Sequence, residues 1–428
     1  GFVGYGKANI RLTNASGDSS QPRIAMGPNG ELHVVWLDTK DGASGVYYKR
    51  SNDYGRNWSA DIPISVGGGT HKTPVVACDG NHVAIAWTIT SKVGGWYIQT
   101  SVRVSESLDG GLNWTPLISA WASGVAPSIA VHGDKIYLVY ERIQGSGDVP
   151  QVYLEGLRLV WGMDGELQGQ TIIYTETHAE HVVPKIVVLN SSTNETANLH
   201  VIWTGYFADG SNHIYYMNGT DNGSTNGDMT WSTPAVVADY YGDRDPYALL
   251  FIGNDGNLYA VWSEPRIGRY QLYMKKYDLS NGSWSPETIL TNSTFDAITP
   301  TMGIDSNGTL HLAYVNTEND ESLVVYRSRS ETGASTSNFA LPSQPGGSSY
   351  PDLVVDSNDI IHAVWEDRRH GDSEVYYVNF GAPAPVGLSS GVGSALASPT
   401  AGENVSLQAT FSNDGDGQLL NVMVNFYV

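Results

Sequence analysis

Along the chain, apolar residues alternate with polar ones in short runs that end on an aromatic, as in Leu32-His-Val-Val-Trp36 and Leu258-Tyr-Ala-Val-Trp262. A period of two places at least one face of an extended segment against a core, so these runs predict strands. No segment shows a convincing helical period, and the chain reads as all-β.

The runs belong to a longer repeat. A proline, an apolar strand, a turn and a second strand closed by an aromatic recur at Pro22–Trp36, Pro74–Trp87, Pro127–Tyr140, Pro184–Trp203, Pro246–Trp262, Pro300–Tyr314 and Pro351–Trp365. The prolines are spaced by 52, 53, 57, 62, 54 and 51 residues. A third strand follows in most units, as in 46–50, 214–217, 271–276 and 374–380, and a fourth follows a polar turn, as in 60–65. Four strands repeated about every 50 residues predict a seven-bladed β-propeller, which protects its sheet edges by radial repetition. The last unit stops after its third strand near Phe380, while a lone strand at 9–13 precedes the first proline. That N-terminal strand is expected to complete the last blade and close the ring.

The expected propeller spans 1–380, a Pro/Gly linker 381–387 follows, and 388–428 alternates like the first strands of a partial immunoglobulin-like β-sandwich. Forty residues cannot make a whole sandwich. The reading is that the chain continues or that a neighbouring molecule supplies strands to an open edge.

Two turns carry a specific motif. Ser51-Asn-Asp53-Tyr-Gly55-Arg-Asn-Trp58 and Ser107-Leu-Asp109-Gly-Gly111-Leu-Asn-Trp114 both match S-x-D-x-G-x-x-W. A shortened version ends at Trp284, and a longer one at Trp231. On these residues the chain resembles the Asp-box (BNR-repeat) sialidase-like propellers. The resemblance implies fold-stabilising turns on the face away from the active site and says nothing about catalysis. It also implies three arginines around a substrate carboxylate, opened by R-I-P, with a Tyr–Glu nucleophile pair and an Asp acid/base. Here Pro22-Arg23-Ile24 is a faint echo, no nucleophile is assignable, and seven units stand where sialidases show six blades. Arg23 occupies a slot filled elsewhere by Val75, Ser128, Lys185, Tyr247, Thr301 and Asp352. The C-terminal segment looks like the start of a CARDB-type adhesion module, and chains of this texture resemble archaeal and bacterial surface proteins.

Charge narrows the function. With 23 Lys+Arg against 44 Asp+Glu, a net charge of −21 repels phosphate backbones, which argues against nucleic acid as a partner. No apolar run of about 18 residues is available for direct membrane insertion, and the N-terminus lacks signal-peptide character, so the expectation is a secreted chain already processed. Cys78, the single cysteine, reads as a small core residue. N-glycosylation sequons at Asn14, Asn190, Asn194, Asn218, Asn222, Asn281, Asn292, Asn307 and Asn404, with two more inside the Asp boxes at Asn57 and Asn113, point to an extracellular or cell-surface glycoprotein.

The candidate ligand face is the one formed by loops joining second to third strands and each fourth strand to the next first. It carries Asp38, Glu141, Arg142, Glu264, Arg266, Glu366 and Arg368 from the first set of loops, and His71, His181, Asp243 and Arg244 from the second. Acids and arginines beside aromatics suit a sugar, yet an acid two residues beyond the same Trp in several blades reads first as a repeat feature that pins each loop with a cation. Recurrent His33, His200, His311 and His362 read as structural. His178 and His181 lack enforced zinc geometry, and the Asp/Asn turns at 41, 209 and 221 are candidates for structural calcium without an EF-hand ligand set. No cofactor is indicated. These features lead to the expectation of a non-catalytic, structural or adhesive surface glycoprotein that self-assembles or binds other surface proteins through its C-terminal module. The alternatives are a lectin using the loop face and an exo-acting, sialidase-like glycoside hydrolase.

Overall fold

In the computed structural model the described residues run from 9 to 381, apart from 15, 41, 94–96, 116–117, 120–123, 145–150, 161–167, 177–182, 191–195, 207–210, 224–228, 241–247, 254, 267, 319–320, 331–334 and 342–346. Beyond 381 they comprise only Gly393–Ser394 and Leu407–Gln408, which pair antiparallel. The chain divides into two compact units, Gly1–Asn379 and Phe380–Val428. The expected linker and the immunoglobulin-like character of 388–428 lie outside the described residues.

All described regular structure is strand. The first sheet shows the plan: Ser19–Met26, Leu32–Asp38, Gly45–Ser51 and Ile62–Val66 pair in that order, each antiparallel to the next. Six sheets of four or five strands are each cut from one continuous stretch between Ser19 and Ala340. One more is composite: Ile10–Arg11 pairs with Asp372–Gly381, which continues to Ile360–His370 and Ser348–Val355. The N-terminal strand thus closes the ring, in register Ile10↔Tyr377 and Arg11↔Tyr376. First strands of successive sheets touch one another all the way round, from 19–26 through 70–79, 124–132, 185–190, 249–252, 296–304 and 348–355 back to 19–26. That closure makes the fold a β-propeller with the first strands lining its axis.

The core lies in slices between sheets. Val35, Leu37, Val46 and Tyr48 of the first sheet pack on Ile85, Trp87 and Ile89 of the second. Leu32–Asp38 is consequently buried on both faces. Removing such side chains from water contributes about 1.5–3 kcal/mol each, so the aromatic that ends each second strand anchors its blade. Trp36, Trp87, Trp203, Trp262 and Trp365 are fully buried. Cys78 is only half-buried, because the inner strand that carries it faces the axis on one side.

The repeated proline does not begin its strand. In five of the seven units it sits inside the first strand, and the residue before it, Gln21, Thr73, Ala126, Thr299 or Tyr350, has φ of 46–52°. The ladder shifts register at each of these five points. A bulge is where a strand tolerates a residue without an N–H, and the left-handed residue beside it carries local strain that the surrounding sheet must hold.

The turns opposite the loop face lock neighbouring blades. In the turn at 51–58, Ser51 Oγ accepts the Gly55 N–H at 2.9 Å, and Asp53 accepts the Asn57 N–H at 2.8 Å and its Nδ2 at 2.6 Å. The turn at 107–114 repeats these bonds through Ser107, Asp109, Gly111 and Asn113. Those hydrogen bonds hold the Asp53 and Asp109 carboxyls down to about 2. Each turn then closes over a tyrosine of the preceding blade: Trp114 meets Tyr48 edge-on at 4.8 Å, and Trp58 meets Tyr377 at 5.0 Å. The shortened turn does the same, with Trp284 edge-on to Tyr216 at 5.2 Å. Each tyrosine bonds the recurrent histidine of its own blade, His33 to Tyr48 at 2.6 Å, His200 to Tyr216 at 2.7 Å and His362 to Tyr377 at 2.8 Å. The recurrent histidines are therefore buried in interblade packing.

Candidate functional site

Three second strands end in the same local sequence, Trp-x-acid-x-cation: Trp36/Asp38/Lys40, Trp262/Glu264/Arg266 and Trp365/Asp367/Arg369. The structure explains the spacing. In an extended chain the acid two residues on lies on the same side as the Trp, and it accepts the indole N–H, at 3.0 Å for Asp38, 3.2 Å for Glu264 and 3.4 Å for Asp367. The cation folds back over a third-strand tyrosine: Lys40 lies 3.9 Å from the Tyr47 ring centre, Arg266 4.3 Å from Tyr273 and Arg369 4.2 Å from Tyr376. Arg266 also pairs with Glu264 at 2.7 Å, and Arg369 with Asp367 at 2.7 Å. Ser19 and Ser348 donate to Asp38 and Asp367, each at 3.0 Å. Asp38 and Glu264 are thus fully engaged in pinning loops, and Arg266 is further held by Glu287. Trp87 has no acid two residues on, and its indole nitrogen is buried without a partner among the described residues.

Glu366 and Glu141 sit one residue after the aromatic, so they project to the other side of their strands. Glu366 stands opposite Ser349 and Glu141 opposite Val125, each beside the bulge of the inner strand. Both are buried, at 5% and 7% exposure. Glu366 reaches the next blade, where its Oε2 accepts the N–H of the bulge residue Gln21 at 3.3 Å. The Gln21 side chain in turn accepts the N–H of Thr73, the bulge residue of the blade after that, at 3.1 Å. A chain of polar contacts therefore runs round the axial mouth across three blades. Arg368 is largely exposed and only 4.0 Å from Glu366, so this carboxylate is not neutralised by a close bidentate pair. His71 borders the mouth, buried, with Ser65 Oγ 2.9 Å from its Nε2 and burial lowering its pKa.

Below this ring lies a second one, built from the residues that follow the prolines. Asp352 Oδ1 accepts the Thr301 hydroxyl at 3.0 Å, and its Oδ2 accepts the Ile24 N–H at 3.0 Å. Ser128 Oγ accepts the Ile186 N–H at 3.2 Å. Arg23 and Lys185 complete this level and both sense Asp352 electrostatically. Burial raises the Asp352 carboxyl above its ordinary range and drops Lys185 to about 8. Sequence reasoning had these positions in one slot but no reason to join them; the signal was the residue after each repeated proline. Of the other candidate residues, Arg142 is placed by its backbone, opposite Gly124. Its side chain, and His181, Asp243 and Arg244, lie outside the described residues. Among the described residues no cluster of three or more His, Cys, Asp or Glu could hold a metal ion.

No protein-family model matches the chain, and no curated protein does. Solved structures do. A protein of unknown function from Dyadobacter fermentans is 12% identical with a TM-score of 0.52, over 87% of this chain and 97% of that one. An ulvan lyase, a polysaccharide lyase, is 10% identical with a TM-score of 0.54, over 87% and 96%. The intramolecular trans-sialidase of Ruminococcus gnavus is 13% identical with a TM-score of 0.49, over 87% and 97%. At these identities the likeness concerns the fold alone, which this chain shares with the Dyadobacter protein and the ulvan lyase.

Proposed function

We propose that this chain is a seven-bladed, extracellular propeller that acts on a glycan at the axial mouth of its loop face, with Glu366 as the carboxyl that touches the substrate. The observation that carries the reading is the position of Glu366: a buried carboxylate at the inner rim, hydrogen-bonded to a backbone amide across a blade boundary and, among the described residues, without a tight cationic partner. Its neighbours in sequence, by contrast, are fully used by the loop locks. Glu141 holds the same register in another blade and is the second carboxylate that general acid/base work on a glycosidic bond requires. The fold likeness to a polysaccharide lyase agrees with a glycan as substrate. A purely structural role, assembled through 388–428, draws no comparable support from the described residues.

In this reading the S-x-D-x-G-x-x-W turns are Asp boxes whose task is to fasten blades on the opposite face. The sequons fit an extracellular setting: Asn14, Asn218, Asn222, Asn281, Asn292 and Asn307 are all exposed. Four of them, Asn218, Asn222, Asn281 and Asn307, lie on the face opposite the mouth, so attached glycans leave the mouth open. The test is binding to an array of acidic and neutral glycans by the full chain, Glu366→Gln and Arg56→Gln, an exposed substitution on the far face. Selective binding that weakens in Glu366→Gln and persists in Arg56→Gln supports the proposal; binding equally strong in all three overturns it.

A further inference from the structure

The ring below the mouth is electrically unbalanced. Arg23 and Lys185 come from the first and fourth sheets, and both are half-buried. Among the described residues neither cation has a carboxylate within ion-pairing distance; the only partner of the Arg23 guanidinium is the Pro22 carbonyl at 3.3 Å. The one carboxylate at this level, Asp352, is occupied by the Thr301 hydroxyl and by the amides of Ile24 and Leu353. Both cations stand in the slot after the repeated proline, on strands that line the axis, and two half-buried like charges on one ring repel, each lowering the other's tendency to stay charged. Keeping both in a protein of net charge −21 makes sense if something negative sits between them.

We propose that the propeller axis holds a small oxyanion, of sulfate size, between Arg23 and Lys185. Arg23 supplies a planar fork suited to two oxygens and Lys185 a point charge, the pair of donors that oxyanion recognition uses. Such an ion joins the first and fourth blades across the axis, where no direct contact between their side chains is needed. This site is independent of the glycan reading when the ion is free, and it rests on that reading only when the acidic group is borne by a sugar.

The experiment is equilibrium dialysis of the full chain against radiolabelled sulfate at constant ionic strength, with unlabelled glucuronate and glucose as competitors. The expected result is one saturable site per chain, weakened about tenfold or more in Arg23→Gln and in Lys185→Gln, as loss of a charge-assisted hydrogen bond predicts. It persists in Lys185→Arg, which keeps the charge, and in Arg56→Gln. Cooperative unfolding of each variant shows that the fold is intact. Competition by glucuronate but not glucose assigns the site to a sugar-borne acid as well as a free ion. Absence of a saturable site, or binding by both Gln variants as tight as that of the parent chain, overturns the proposal.

Discussion

Substituting Gly111 by Ala tests the interblade lock at one atom. Gly111 sits at φ +83°, and a Cβ there would overlap the Tyr48 hydroxyl and stand 2.7 Å from Cζ of the same ring. Tyr48 is fully buried, holds His33 at 2.6 Å and meets Trp114 edge-on, so it has nowhere to go without breaking those contacts. A left-handed non-glycine residue costs about 1 kcal/mol, overpacking about 1–3 kcal/mol, and leaving His33 Nδ1 unbonded about 1–3 kcal/mol. The expected loss is about 3–7 kcal/mol. Gly42 is the control: its φ is +71°, but nothing lies within 4 Å of its added Cβ, so Gly42→Ala carries only the backbone cost. Urea unfolding followed by tryptophan fluorescence gives both values. If Gly111→Ala costs no more than Gly42→Ala, the turn is not clamped on Tyr48 and the lock is wrong.

Burial lowers the pKa of His33 and His200 to about 4, so between about pH 6.5 and 4 the unfolded chain takes up protons that the folded chain refuses. Stability should fall by a few kcal/mol across that window in thermal melts, and His33→Gln should flatten its share of the fall. Lys185 is lowered in the same sense on the alkaline side, so without a bound anion stability should rise as pH passes from about 8 toward 10; added sulfate at pH 7 should reduce that rise. Asp367→Asn removes the charge that holds Arg369 and should cost about 1–3 kcal/mol, read by chemical denaturation, whereas Arg368→Ala on the exposed side of the same strand should change stability little.

Fold was legible because its causes are local and repeated. The proline, the aromatic at the end of each second strand and the S-x-D-x-G-x-x-W turns each mark one place in every blade, so a fixed period exposes them. The closing strand at Ile10–Arg11 followed from the missing fourth strand of the last unit. The prolines were visible, but their place in a bulge was not, because a left-handed residue before proline is set by the sheet around it. The site was harder. Asp38, Glu264 and Glu366 look alike in sequence, each an acid just beyond a tryptophan. One residue of offset sends Glu366 to the axis and the other two to an indole N–H, and only strand register separates those fates. Likewise Arg23, Lys185 and Asp352 are far apart in the chain and come to share one level of the axis only when the ring closes.

The central claim is that the axial mouth turns over a glycan. The most direct measurement is mass spectrometry of products after incubating the full chain, and Glu366→Gln beside it, with a panel of neutral, uronate-containing and sialylated polysaccharides. The account predicts shortened or unsaturated products from at least one acidic member, with the rate lowered about 100-fold or more in Glu366→Gln while the variant unfolds like the parent. Products formed at the same rate by both proteins, or no product from any member, would contradict it.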